Sequence, residues 1–494
     1  MPDGEGFATA KLRAIGPGLC LFKNTAMENS DMKKEACGLF GIYGHPEAAR
    51  MTYFGLYALQ HRGQESAGII TWDGQTIREQ RGMGLVADVF QERHLGHQLK
   101  GSVALGHIRY STTGASLIRN AQPFKVTYKG MNLALAHNGN LVNTISLREE
   151  LENQGTIFQT TMDSEVIMHL VAKYMNGGTP EEAIAKACSR IKGSFSLLFM
   201  VNQKLIAVRD PWGFRPLSLG RVGDAYVLAS ETCAFDLLEA EYLRCLDPGE
   251  MLVIEDGRMM SHRYMEPADR QSSCIFELIY FARPDSLVFD QEVYNARKTM
   301  GQVLARECPA DGDFVMPFPD SGVYAAVGYA QESGLPFEAC MIRNHYVGRT
   351  FIQPTQGMRD FSVRVKLNPV KNMIKGKRVI IVEDSIVRGT TIRTRVKQLR
   401  ELGAKEIHMR VSCPPIRYPC YYGIDFSSKG ELIAANHSVD DIGRYLGLDS
   451  LHYITIGGLL KSVRAPENFC LACFNGAYPV LPDAGMGKLS LECC

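Results

Sequence analysis

The segment from residue 377 to residue 414 places the tightest constraint on the fold. Val379–Val382 is a continuous β-branched run, which is typical of a strand buried on both faces of a parallel sheet. The residues that follow its loop share one apolar helical face, formed by Ile392, Val396 and Leu399. Gly403 is suited to end that helix, and a second strand-like run, Glu406–Val411, completes a βαβ unit. The chain therefore contains an α/β domain built on a parallel sheet.

The length of 494 residues indicates more than one domain, because single cores stop growing near about 250 to 300 residues. From Cys37, short alternating apolar runs separated by Gly and Asn turns predict packed sheets with accompanying helices, an α+β domain over residues 37–268. The α/β domain is expected over residues 269–462, and residues 463–494 form a loop-like tail. Residues 1–36 are polar and aperiodic, so we expect a leader that is removed, and a start at Met27 would leave a shorter leader.

Charge and composition exclude several function classes. The 54 basic and 53 acidic residues leave a formal charge of +1, so nothing points to nucleic acid or an anionic membrane as partner. No run approaches the roughly 18 consecutive apolar residues of a membrane span, and we expect a cytoplasmic protein that acts on small molecules. At this size, the 14 cysteines favour ligands or reactive thiols over disulfides.

A first group of candidate residues begins with Cys37, which heads an apolar strand where the irregular leader ends. Alone, it could be a buried strand cysteine. Further polar segments follow in order: Gln60–Gly68, His107–Thr112, His137–Asn140 and Asp163–Glu165. Together with Cys37 they resemble the glutaminase domain of the class II amidotransferases, which are N-terminal-nucleophile hydrolases with an αββα sandwich. The resemblance implies that this domain releases ammonia from glutamine.

The chemistry of amide hydrolysis explains these residue types, since a thiol nucleophile needs a proton acceptor and an oxyanion site. If the leader is removed before Cys37, the new α-amino group can act as the base. The resemblance implies an oxyanion hole from the Asn138 side chain and the Gly139 N–H, on an Asn-Gly turn. It also implies that Arg109 binds the glutamine carboxylate and Asp163 its ammonium. Singly, these residues could be a hairpin turn, a surface ion pair and a helix cap.

A second group follows the buried strand at residues 379–382. Glu383 and Asp384 end that strand, where ligands of open α/β sheets bind. The loop after them offers hydroxyls, backbone N–H groups and a glycine at a helix N-terminus, which suit a phosphate: Ser385, Arg388, Gly389, Thr390 and Thr391. This pattern resembles the type I phosphoribosyltransferases. It implies that the loop binds the 5-phosphate, and that Glu383 and Asp384 hold the ribose hydroxyls and Mg²⁺. The alternative is a strand end with a solvated turn.

Two further segments match the same family. Pro319–Gly322 resembles its short pyrophosphate loop, in which Ser321 matches a magnesium contact. Arg343–Pro354 resembles the loop that closes over bound substrate in the amidotransferase branch, with Arg349 placed to neutralise pyrophosphate. The sequence departs from the family pattern at Glu383, where an aspartate is usual, and at His345, where an arginine is usual.

The C-terminal pair Cys470 and Cys473 has a spacing that suits a metal, a cluster or redox chemistry. A closed structural site needs four thiolates. The 4Fe-4S branch of this amidotransferase family has two more cysteines, at positions that match Cys274 and Cys420. The resemblance implies a structural 4Fe-4S cluster, although ligand count alone would equally allow a four-cysteine zinc site.

The two resemblances together identify the chain as a member of the glutamine phosphoribosylpyrophosphate amidotransferase family. They imply that glutamine and phosphoribosyl pyrophosphate give phosphoribosylamine, pyrophosphate and glutamate, the first step of de novo purine nucleotide synthesis. Family members are usually homodimers or homotetramers inhibited by purine nucleotides. An amidotransferase acting on a sugar phosphate would lack the loop at residues 383–391, and a non-catalytic phosphoribosyl-binding regulator would not need Cys37 and its partners.

Overall fold

The computed structural model describes residues 37–110, 115–344, 367–425, 428–485 and 491. Within these residues, two antiparallel sheets with outer helices form a sandwich, which we call the sandwich domain. A parallel sheet with its own helices follows, the parallel-sheet domain. The predicted fold class, an αββα sandwich followed by an α/β domain, is confirmed. The predicted leader 1–36, His345 and Arg349 lie outside the described residues.

The first sheet of the sandwich contains Gly38–Tyr43, the strand that directly follows Cys37. This strand is central because its residues are apolar and buried on both faces. It pairs antiparallel with Val103–Arg109 on one side and with Ala225–Ala229 on the other. In the described part of the chain, the spatial order of this sheet is Glu241–Cys245, Ser218–Val222, Ala225–Ala229, Gly38–Tyr43, Val103–Arg109, Ser66–Trp72 and Ile77–Met83.

The second sheet carries Met131–Leu141, a long strand that includes the predicted Asn138 and Gly139. It pairs antiparallel with Gly193–Val201, which is buried along its whole length. Among the described residues, the order of this sheet is Arg258–Arg263, Glu250–Glu255, Lys204–Arg209, Gly193–Val201, Met131–Leu141 and Phe124–Tyr128. The edge strand Arg258–Arg263 is exposed and charged, which protects the sheet from further pairing.

Apolar side chains fill the space between the two sheets, among them Leu39, Leu105 and Leu198. Helices cover both outer faces and complete the αββα layers. The sandwich helices are Ala48–Ala58, Val86–Val89, Thr144–Glu152, Asp163–Tyr174, Pro180–Arg190 and Cys233–Leu237. The helix Asp163–Tyr174 packs against the sandwich through an apolar face on which Val166, Ile167, Leu170 and Val171 are buried.

The parallel sheet contains both strands predicted from the βαβ pattern. Its order in the described chain is Phe314–Pro317, Arg378–Glu383, Glu406–Val411 and Ser450–Tyr453. The predicted helix is also confirmed as Thr390–Glu401, with Ile392, Val396 and Leu399 buried and Gly403 at φ +86° just beyond its end. In the described part of this domain, the other helices are Val293–Glu307, Val323–Ser333, Lys371–Ile374, Ile433–Asn436, Val439–Leu446, Ile456–Lys461 and Ala472–Asn475.

Short strand pairs connect distant parts of the chain. Ser273–Cys274 pairs in parallel with Phe469–Cys470, which brings the C-terminal tail onto the segment that joins the two domains. Leu287–Val288 pairs with Gln291–Glu292, and Met341–Arg343 pairs with Leu367–Pro369. No helix in the described ranges has both the length and the apolar character that crossing a bilayer requires.

Candidate active sites

Cys37 lies buried at the start of the central strand, with both its thiol and its carbonyl in contact with other segments. The thiol donates to the Tyr110 carbonyl over 3.4 Å, and the Cys37 carbonyl accepts a hydrogen bond of 3.1 Å from Arg62 Nε. Burial raises the pKa of the Cys37 thiol above its ordinary value, although the Tyr110 carbonyl and Arg109 act in the opposite sense. At neutral pH the sulfur therefore keeps its proton until a base removes it.

Arg109 lies beside Cys37 because their strands pair antiparallel, with Gly38 opposite Ile108. The arginine is buried, and its Nη1 donates to the Ala115 carbonyl over 3.1 Å. The charges of Arg109 and Asp163 both act on the Cys37 thiol, as does that of Glu65. Three segments that are far apart in sequence are thus brought together around one sulfur.

Asn138 and Gly139 lie inside the strand Met131–Leu141, so the expectation that they form a turn is wrong. The strand pairing with Gly193–Val201 holds this pair extended. Gly139 has φ +149°, and a Cβ there would stand 2.0 Å from the Ser194 carbonyl oxygen, so the position requires glycine. Asn138 is fully buried, and its Oδ1 has no hydrogen-bond partner among the described residues. The oxygen end of this amide therefore has no protein partner in the described structure, and its Nδ2 is the end that can donate.

Ser230 belongs to this site although no sequence pattern indicated it. Its hydroxyl accepts a hydrogen bond of 3.0 Å from the Leu39 N–H and one of 3.4 Å from Asn138 Nδ2. The serine thus connects the strand of Cys37 to the strand of Asn138, across the two sheets. Only the pairing of strands 38–43 and 225–229 brings it there, so no local pattern could have identified it.

Asp163 is the first residue of its helix and not its cap, because the capping position is held by Met162. Its carboxylate accepts hydrogen bonds from the Leu141 N–H over 3.1 Å and from the Ser164 hydroxyl over 3.3 Å, and His137 Nδ1 lies 3.5 Å away. Burial opposes ionisation of Asp163, but His137 and these donors outweigh it and lower the pKa. The Asp163 carboxylate is thus a buried anion that is bonded to Leu141, two residues beyond Gly139, and it can bind an ammonium group.

The second predicted site lies at the carboxyl end of the strand Arg378–Glu383. Glu383, Asp384 and Ser385 are all buried there. Asp384 accepts hydrogen bonds from the hydroxyls of Ser321 and Ser385. A Cβ on Gly322 would lie 2.5 Å from the Val382 carbonyl, so the loop with Ser321 is pressed against this strand end. The two segments predicted to hold magnesium, Pro319–Gly322 and Glu383–Asp384, therefore lie in contact in the structure.

The loop after the acidic pair turns directly into the helix Thr390–Glu401. Gly389 precedes that helix with φ +79°, a left-handed conformation that glycine adopts without strain. Thr390 and Thr391 form the first turn, where backbone N–H groups have no partner within the helix and suit an anion. Arg388 forms an ion pair with Glu431 at the rim. The arrangement fits a phosphate group above the helix N-terminus.

The four predicted cysteines lie in one region where the parallel-sheet domain meets the tail, which we call the cysteine seam: Cys274, Cys420, Cys470 and Cys473. Cys274 and Cys470 are direct partners in their strand pair. Burial raises the pKa of each of these thiols, and the charges of Cys274, Cys420 and Cys470 act on Cys473. No group of three His, Cys, Asp or Glu side chains in the described ranges is arranged to hold a single metal ion.

Both halves of the chain match families of known proteins. Residues 107–236 match the family model described as a glutamine amidotransferase domain, and residues 291–422 match that of a phosphoribosyl transferase domain. The amidophosphoribosyltransferase of Archaeoglobus fulgidus is 50% identical over 90% of this chain and 98% of its own length. That of Bacillus subtilis is 49% identical over 90% of this chain and 94% of its own length.

A solved structure resembles the whole two-domain arrangement. It is the glutamine phosphoribosylpyrophosphate amidotransferase of B. subtilis in complex with ADP and GMP. That structure has a TM-score of 0.86 and 48% identity, and it covers 92% of this chain and 99% of its own. The chain belongs to the amidophosphoribosyltransferase family, and it transfers ammonia from glutamine to phosphoribosyl pyrophosphate, giving phosphoribosylamine, pyrophosphate and glutamate in the first step of purine synthesis.

Proposed function

We propose that Cys37, freed from its leader, is the nucleophile that attacks the side-chain amide of glutamine. The observation that carries this proposal is the convergence of buried Cys37, Arg109, Asn138 and Asp163 around one position. The raised pKa of the thiol means that a base is needed, and a free α-amino group on Cys37 itself supplies one. Removal of residues 1–36 is therefore part of the mechanism, because a peptide bond at this nitrogen would abolish its basicity.

The surrounding groups divide the work of binding and catalysis. Arg109 binds the α-carboxylate of glutamine and Asp163 its α-ammonium. The thiolate then adds to the amide carbon, and the Asn138 amide and the Gly139 N–H donate to the resulting oxyanion. Ammonia leaves, and water hydrolyses the thioester to give glutamate.

At the second site, Ser385 to Thr391 bind the 5-phosphate of phosphoribosyl pyrophosphate. Glu383 and Asp384 bind the ribose hydroxyls, and together with Ser321 they would hold Mg²⁺. This donor set fits the metal, because Mg²⁺ is usually bound through one or two carboxylates together with substrate phosphates. Bound Mg²⁺ would neutralise charge on the pyrophosphate group. Ammonia attacks C1 of the ribose as pyrophosphate leaves, and Arg349, in loop 343–354, offers a countercharge.

The cysteine seam is proposed to hold a structural 4Fe-4S cluster. The four thiols are close enough for their charges to interact. Ligand count alone would allow a zinc ion as well as a cluster, and the family resemblance favours the cluster. It would tie the tail to the domain junction.

Regulation and assembly follow from the family relationship. The B. subtilis relative was solved with ADP and GMP. We therefore expect purine nucleotides to inhibit this enzyme. We also expect a homodimer or homotetramer, as is usual in this family, and a location in the cytoplasm.

One preparation tests the leader, the base and the cluster together. Anaerobically purified protein should begin at Cys37 by N-terminal sequencing and intact mass. It should contain about four iron and four sulfide per chain. Active protein beginning at Met1 or Met27 would contradict the proposed base, and one zinc per chain without sulfide would contradict the cluster.

A further inference from the structure

A buried arginine connects the proposed nucleophile to the parallel-sheet domain. Arg62 is fully buried, and its Nε donates to the Cys37 carbonyl over 3.1 Å. Its two terminal nitrogens each donate over 2.8 Å to a different oxygen of Glu277, and one also contacts Glu231. Arg62 thus reaches from the nucleophile to an acid outside the predicted sandwich domain.

Glu277 is itself fully buried and is shared between two arginines. Its Oε1 accepts a second hydrogen bond of 2.8 Å, from Arg215 Nη1. Burial opposes its ionisation, but Arg62 and Arg215 outweigh that effect and lower the pKa of Glu277, so the carboxylate is charged. Arg62, Glu277 and Arg215 form one continuous unit, which we call the buried charge chain. Removing the Glu277 charge would leave Arg215 without this ion-pair partner, and Arg62 would keep its contact with Glu231.

The other end of the buried charge chain lies at residues 420–423, a segment that begins with Cys420 of the cysteine seam. Arg215 Nη2 donates to the Tyr422 carbonyl over 3.1 Å. The same segment contacts the oxyanion strand, because Asn140 Nδ2 donates to the Tyr421 carbonyl over 2.9 Å. A Cβ on Gly423 would lie 3.3 Å from the Gly139 carbonyl. Residues 420–423 therefore rest directly against the glycine of the proposed oxyanion hole.

We propose that Glu277 is a positioning residue of the glutaminase reaction, acting through Arg62 on Cys37 and through Arg215 and residues 420–423 on Gly139. The sandwich domain supplies the reacting groups, and the parallel-sheet domain fixes the distance between nucleophile and oxyanion donor. The inference rests on the proposed roles of Cys37 and Gly139. It adds a residue that contacts neither glutamine nor the sulfur.

The test uses Glu277→Gln in the full chain, which keeps the shape of the side chain and removes its charge. Displacements near 1 Å can cost on the order of 100-fold in rate, so we expect glutamine-dependent kcat to fall about 10- to 100-fold. The KM for glutamine should change less than about twofold, because Arg109 and Asp163 are untouched. Synthesis from added ammonia should be retained. Unchanged kcat, or equal loss with both nitrogen donors, would overturn the proposal.

Two further variants make the result specific. Arg62→Lys keeps the charge but cannot donate to Cys37, Glu231 and Glu277 together, so its kcat should fall in the same way. If Glu277→Gln does not fold, Arg62→Lys provides the test in its place. The double variant should lose no more than the worse single variant, since both act through one unit, and additive losses would contradict the proposal.

Glu250→Gln is the matched control, because Glu250 is a buried acid paired with Arg244 and has no contact with Cys37 among the described residues. It should keep its glutamine kcat within about twofold, whereas a loss equal to that of Glu277→Gln would count against a specific role. If Cys37 is not the nucleophile, Cys37→Ala will still use glutamine. That result differs from the result that would overturn the role of Glu277.

Discussion

The two sites of this enzyme are assembled in different ways. The glutaminase site collects residues from distant strands into a buried, closely packed arrangement, in which Asn138, Ser230 and Leu39 are joined by hydrogen bonds. The phosphoribosyl site takes most of its groups from one short segment, residues 383–391, at the open end of a sheet. The first site is therefore largely preorganised by the fold, and the second relies on a local loop and on its bound substrate. Mutations should affect the two sites differently.

The comparison predicts the largest effect for Cys37→Ala. It removes only the thiol, so glutamine-dependent synthesis should fall by at least about 1,000-fold. Synthesis from added ammonia at high pH, where free NH₃ is abundant, should remain within about twofold because the second site is intact. Both rates are measured as phosphoribosylamine formation. Equal loss of both in folded protein would mean that the sites are not separable.

Asp384→Asn should produce the complementary result. It removes a buried carboxylate that Ser321 and Ser385 orient, so both nitrogen donors should support synthesis on the order of 100-fold more slowly. Glutamine hydrolysis without phosphoribosyl pyrophosphate should persist. Asp313→Asn is the control, since Asp313 pairs with Arg378 at the opposite, amino-terminal end of these parallel strands. If Asp384→Asn still makes phosphoribosylamine from ammonia at the normal rate, the assignment of Asp384 to the second site is wrong.

Gly139→Ala tests how strictly the first site is packed. The new methyl group would meet the Ser194 carbonyl at a φ that alanine disfavours, so we expect a loss of about 1 to 3 kcal/mol in unfolding free energy, with impaired glutamine use. Gly130→Ala also has a positive φ, +80°, but open space around it, so it is the control for a positive-φ substitution without a clash. Urea unfolding of both variants measures the difference. Equal losses of unfolding free energy in the two variants would show that packing around Gly139 does not exclude a larger side chain.

The smallest effect concerns acid stability. Burial lowers the pKa of His107 to about 3, and its Nε2 contacts the His137 carbonyl next to Asn138. The unfolded chain binds a proton near pH 6.5 and the folded chain does not, so stability falls as pH drops through that window. By pH 5 the loss is about 2 kcal/mol.

His107→Gln should remove this dependence between pH 7.5 and pH 5, as measured by urea unfolding. His262→Gln, which changes an exposed histidine, should preserve it. A dependence on pH that is the same in His107→Gln and in the unmutated protein would contradict the assignment.

The same contrast explains what the sequence could predict. The strand Glu406–Val411, the acidic pair and the glycine loop are local patterns, and they appear in the structure where the pattern places them. The Asn138–Gly139 pair was misjudged because a local turn preference gives way to pairing with Gly193–Val201. Ser230 and Glu277 were missed because their roles arise only from long-range packing. The domain boundary at residue 268 and the cluster ligands stay predictions.

The strand pairing that sets Cys274 opposite Cys470 has a consequence for how the chain folds while it is synthesised. At about 5 to 20 residues per second, Cys274 leaves the ribosome roughly 10 to 40 s before its partner. Residues 420–423, which rest against Gly139, are also made after the whole sandwich. A nascent chain can thus bury its first core while its first site is unfinished. Ribosome-bound chains should acquire glutaminase activity only when the C-terminal part of the protein emerges.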